Sequence, residues 1–182
     1  MKKRMVYLGI TCLIAALLQC FVLKGFGSFV PYLAFCACAF ILCKGNLKVS
    51  NVFKIILIGA IALPIFDFML STVTAPFASG LIVMILVLLV QALVYFFMLA
   101  ATISWVNKKR FAVRVRDHII TAVIVLAYSV LSGIYNAAVV SAIGQGNMHS
   151  WLSAFGNNPF SIAATLVFYV GVFCAAMQTD KK

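Results

Sequence analysis

The stretch SGLIVMILVLLVQALVYFFMLAATISW, residues 79–105, carries no charged side chain and decides the solvent in which this chain folds. A helix needs roughly 20 predominantly apolar residues to cross a bilayer. At about 1.5 Å of rise per residue this segment is long enough to span with tilt. The rest of the chain follows it: of 182 residues 65% are apolar and 9% charged, where a soluble domain carries roughly a quarter charged residues. The chain therefore reads as an integral membrane protein.

Working outward, five further apolar segments are separated by breaks rich in Gly, Pro, Asn or charge: KGFGS (24–28), KGNLKVSN (44–51), TAPFASG (74–80), NKKRFAVRVRD (107–117) and GQGNMHSWLSAFGNNP (144–159). Spans are expected at about 5–23, 28–43, 53–72, 79–105, 118–143 and 159–178. The opening MKKRMVYLGITCLIAALLQCF has the basic start and apolar run of a signal peptide but no A-x-A cleavage site, so it reads as an uncleaved first span. The expected fold is all-α, a single domain over 1–182 in which six transmembrane helices form a compact bundle.

Orientation comes from the bases. Cytoplasmic loops collect Lys and Arg, and numbering the sides alternately puts thirteen on one side, from Lys2, Lys3 and Arg4 to Lys181 and Lys182, against Lys24 alone on the other. Both termini are thus expected in the cytoplasm, in a cell inner membrane. The net charge of +11 is spent on orientation, and nucleic-acid binding is not expected. Lys108, Lys109, Arg110, Arg114 and Arg116 form a cluster suited to anionic lipid headgroups.

Ionisable groups inside spans are rare and suggest function by default. Asp67, in IALPIFDFML (61–70), is the clear case. Counted from residue 53 it lies roughly 21 Å up its helix, in the outer third. Lys24 sits at comparable height, so a Lys24–Asp67 ion pair is expected, with a solute contact at Asp67 as the functional alternative. Pro64 frees the Ala60 carbonyl, and a kink there would open space beside Asp67.

The fifth span holds the most ordered polar pattern. Ser129, Gly133, Ala137 and Ser141 recur every fourth residue as a small-residue packing ridge. Beside it Tyr128, Ser132, Tyr135 and Asn136 supply hydroxyl and amide groups, and Gln91, Tyr95 and Gln19 can face the same lining. Gly171 and Ala175 give the sixth span a lesser ridge.

Enzyme chemistry is not expected. No two acids lie within reach of one another by this topology, and no nucleophile, metal or phosphate motif is present. The six cysteines lie within or at the ends of apolar segments and read as small hydrophobes. No catalytic residue, metal or cofactor is assigned.

In the 144–159 connection Met148, Trp151, Leu152 and Phe155 fall at i, i+3, i+4 and i+7, the period of a short interfacial helix between the fifth and sixth spans. In size and six-span arrangement the chain is similar to the small membrane-embedded substrate-capture subunits of vitamin importers, a likeness of architecture that no motif carries. Two functions are therefore expected in competition. One is a small-solute permease or transporter subunit whose site near Asp67 uses Gln91, Tyr95, Tyr128, Ser132, Tyr135 and Asn136. The other is a noncatalytic accessory protein whose ridges pack against a partner membrane protein or a second copy. The first requires a polar cavity, and the second requires an exposed ridge.

Overall fold

A computed structural model describes residues 2–22, 29–74, 81–108, 115–144 and 159–180, with 2, 22, 115–118, 136–144, 179 and 180 as backbone only. Seven α-helices account for nearly all of them, and no strand occurs among the described residues. They are α1 (Lys2–Leu17), α2 (Val30–Leu42), α3 (Val49–Ile56), α4 (Leu63–Thr74), α5 (Leu81–Val106), α6 (Val115–Gly144) and α7 (Pro159–Asp180). Pro31 sits in the first turn of α2 and Pro159 opens α7, positions where a missing N–H leaves no helical bond unmade.

Two wide turns interrupt this regularity. Leu18–Val22 continues α1 as a π-helical turn, and Leu57–Ala62 joins α3 to α4 as another. The second has a visible cause. Pro64 has no N–H, and its ring would crowd the carbonyl four residues back. Here the N–H of Leu63 reaches the Ile58 carbonyl, five residues back, so the chain enters Pro64 from an opened turn. Gly59 inside that turn lies against α2, where an added Cβ would come within 2.6 Å of both Cys36 Sγ and Phe35 Cδ1.

Among the described residues four helical stretches are long and apolar enough to cross a membrane: Lys3–Phe21, Val49–Thr74, Leu81–Val106 and Pro159–Gln178. Val30–Leu42 and Ile119–Tyr135 are shorter apolar stretches among the described residues. The third expected span begins earlier than its composition indicated, at Val49, because Lys48 is extended and its carbonyl accepts from Asn51 and Val52. The surface agrees with a lipid solvent: Phe68 is 72% exposed, Ile82 73% and Leu33 66%, apolar area that would be a liability in water. The described residues are almost entirely helical, and the molecule is a membrane-embedded protein.

Helix α7 packs against α6, α1 and α5, and α5 packs against α6, so these helices and α2 surround the core. Small residues permit the close approaches. A Cβ on Gly133 would lie 2.5 Å from Ile85 Cγ1, and one on Gly171 would lie 2.7 Å from Phe96 Cζ. Without a hydrophobic drive between helices in lipid, such contact supplies much of the cohesion. Around it sits an aromatic cluster in which Tyr95 meets Phe35 at 5.6 Å and Phe168 at 5.1 Å between ring centroids. Edge-on pairs of this kind add roughly 0.5–1.5 kcal/mol each beyond area burial.

Candidate functional site

Helical periodicity turns two sets of side chains toward each other. Tyr128, Ser132 and Tyr135 on α6 are spaced i, i+4, i+7, as are Ser161, Thr165 and Phe168 on α7, so each set shares a face. Between them, closed by Gln19 from the Leu18–Val22 turn and Pro31 from the start of α2, lies a cavity of about 220 Å³. Leu88 of α5 and Ala164 complete its wall. The cavity is therefore the meeting point of α1, α2, α5, α6 and α7, with hydroxyl and amide groups on most sides.

Each polar wall group is held. The Tyr169 hydroxyl donates to Gln19 Oε1 at 2.8 Å, tying α7 to the wide turn of α1. The Thr165 hydroxyl donates to the Ser161 carbonyl at 2.9 Å. Tyr128 has Ser132 as its polar neighbour, and Tyr135 has Ser161. Wide π-type turns recur at functional sites because they re-aim side chains out of helical register, and Gln19 sits in one.

Tyr95 is not in the wall. Its hydroxyl donates to the Pro31 carbonyl at 2.6 Å while its ring fills the aromatic cluster, so it supports the α2 end of the cavity from behind. Gln91 is half-buried on α5 and lies outside the lining. Asp67 is also outside it. The carboxylate of this half-buried residue accepts a hydrogen bond from the Tyr32 hydroxyl, and Tyr32 adjoins Pro31. Tyr128 is within electrostatic range of Asp67, so the acid lies near the wall without lining it.

On the packing ridge, Ser129 is fully buried and donates to the Val125 carbonyl at 2.8 Å, within its own helix. Gly133 is buried against Ile85 and Leu81 of α5. The side chains of Asn136, Ala137 and Ser141 lie outside the described residues, as do Lys24 and the segment with Met148, Trp151, Leu152 and Phe155. Of the basic cluster, Lys108 is described: it is exposed, with φ 53° in the left-handed region, and it lies in the turn that follows α5. Lys109, Arg110 and Arg114 lie outside the described residues, and Arg116 is described by backbone alone.

Spacing alone did not bring out the α7 wall, although Ser161, Thr165 and Phe168 repeat the interval of the α6 set. Tyr32 and Tyr169 had no such signal, since their partners stand 35 and 150 residues away. Among the described residues no three His, Cys, Asp or Glu side chains converge, and all six cysteines are free thiols. The chain matches no protein-family model, no curated protein and no solved structure, so the chemistry of the site is read from its own geometry.

Proposed function

We propose that this protein is a small-solute permease or the membrane-embedded subunit of a transporter, with its binding site in the cavity between α6 and α7. We further propose six crossings of a cell inner membrane, with both termini in the cytoplasm and the cavity opening outward. The cavity carries this reading: five hydroxyl-bearing side chains and one carboxamide converge around one open space in a mostly apolar bundle. Polar groups are costly in lipid unless they are paired or useful. A wall of them around open space, beyond what helix pairing needs, favours a ligand or water.

Support for the crossings comes from the four long and two shorter apolar stretches together with the asymmetry of the bases. The Asn46–Asn107 bond at 3.1 Å is consistent with the α2–α3 and α5–α6 connections sharing one side. The Thr121–Gln178 bond at 3.3 Å is consistent with α6 beginning where α7 ends. The accessory-protein reading needs an exposed Ser129–Ser141 ridge, and in its described half Ser129 is buried and Gly133 packs on α5.

Ser161→Cys tests the reading. In sealed right-side-out vesicles it should react with a membrane-impermeant, uncharged glycosyl thiosulfonate above the background of the unsubstituted chain. Reaction only when the reagent is admitted to the lumen would overturn the outward opening.

A further inference from the structure

We propose that the cavity takes a small uncharged solute that pairs hydrogen-bonding groups with a flat apolar face. The inference rests on reading the cavity as a solute site, and it adds the chemical class.

Charge is the first reason. Among the described lining residues there is no Asp, Glu, Lys, Arg or His. Asp67, the acid whose side chain is described, stands outside the lining with the Tyr32 hydroxyl on its carboxylate. A cation entering this space would give up its hydration with the Asp67 carboxylate already engaged by Tyr32, and an anion would meet no basic group among the described lining residues, losses that hydroxyl groups repay poorly in a low-dielectric interior.

Hydrogen bonding is the second. Gln19 spends its Oε1 on Tyr169, which leaves its amide N–H groups as donors. Tyr128 and Tyr135 accept from Ser132 and Ser161 and keep their own O–H protons to donate, while the Ser132 oxygen keeps a lone pair to accept, so a carbonyl, amide or hydroxyl on the solute finds a partner. Thr165 contributes less, because its proton is committed to the Ser161 carbonyl.

Shape is the third. A volume of about 220 Å³ corresponds to about seven waters at ~30 Å³ each, which is room for one substituted ring. The Phe168 and Tyr128 rings, 5.1 Å apart between centroids and inclined at 49°, provide an apolar wall for its flat face. Sites of this make-up, mostly apolar surface with a few placed polar groups, are the usual form of small-molecule pockets.

The test uses the full chain in lipid nanodiscs with Ser132→Cys as reporter and N-ethylmaleimide, a neutral reagent, as probe. Benzamide, benzoate and benzamidinium share one ring and differ in charge. Benzamide is expected to slow labelling, with half-protection by either ion requiring about tenfold more compound. Adding Tyr135→Phe should raise the benzamide requirement about fivefold, the loss of one neutral hydrogen bond. Ser161→Cys serves as reporter in the same comparison if Ser132→Cys does not fold. Equal or better protection by benzoate or benzamidinium overturns the uncharged class while leaving a solute site in place. Rapid labelling that none of the three compounds slows overturns the inference and makes the cavity a water-filled space. A reporter that is unreactive in the folded protein and reactive after denaturation removes the solute-site reading itself.

Discussion

Asp67 illustrates how a single acid is tolerated in a chain of this composition. A carboxylate among apolar residues must be paired or neutralised, and a hydroxyl donor from α2 meets it here. Hydrogen bonds to charged groups contribute about 1.5–3 kcal/mol, and stranding a buried charge costs more than softening its partner. Tyr32→Phe is therefore expected to lower unfolding free energy by about 2–3 kcal/mol, and Asp67→Asn by about 1 kcal/mol. Adding Tyr32→Phe to Asp67→Asn should cost little further, since the two changes act on one contact. Denaturant titration in mild detergent reads these values, and strictly additive losses would show that the contact is not what holds Asp67. The need for a partner was legible from the acid's position in IALPIFDFML. The partner was not, because Tyr32 is 35 residues away and only the packing of α2 beside the α3–α4 helix brings it close.

At the scale of elements, the α3–α4 helix shows what periodicity conveys and what it omits. Apolar runs and their breaks located the described α-helices, with ends shifted by a few residues, and missed the 3-10 turn Lys44–Asn46 inside a break. The change from α-helical to π-helical turns left no mark that hydropathy detects. Pro64 announced a distortion, and its form, a wide turn holding Gly59 against Phe35 and Cys36, depends on α2. Gly133 differs, since fourfold spacing with Ser129 singled it out, and it does pack closely on α5. Gly59 has no such companions. Gly59→Ala should cost about 1–3 kcal/mol by overpacking a site where Phe35 is fully buried and has little room to move. Gly45→Ala is the control: nothing lies within 4 Å of its added Cβ, and the expected change is within about 0.5 kcal/mol. Thermal unfolding of both variants in one detergent decides it. A Gly59→Ala protein as stable as Gly45→Ala would mean that the α2 contact is looser than the geometry requires.

At the scale of the molecule, one end of the bundle is built from polar groups and bases. The Asn51 amide donates to the Asn46 carbonyl at 2.7 Å, and Asn46 in turn donates to Asn107 at the end of α5. Lys54 donates to Asn51 at 3.4 Å and lies 4.6 Å over the Trp105 ring, a cation–π contact at the level where tryptophan favours the membrane interface. Lys44, Lys48 and Lys108 are exposed at the same end. Such an assembly suits a cytoplasmic face, where bases are retained and anionic headgroups gather. Reporter domains inserted after residues 46 and 112, or fused after 182, should therefore be active in the cytoplasm, and insertions after 26, 77 and 150 should be active outside. Because sides would alternate along a six-crossing chain, the result at 77 is the most informative. It lies between two stretches that are each long enough to cross, Val49–Thr74 and Leu81–Val106. A cytoplasmic signal there, with 46 and 112 also cytoplasmic, would mean that neither stretch spans, and would reduce the six-crossing topology to fewer crossings.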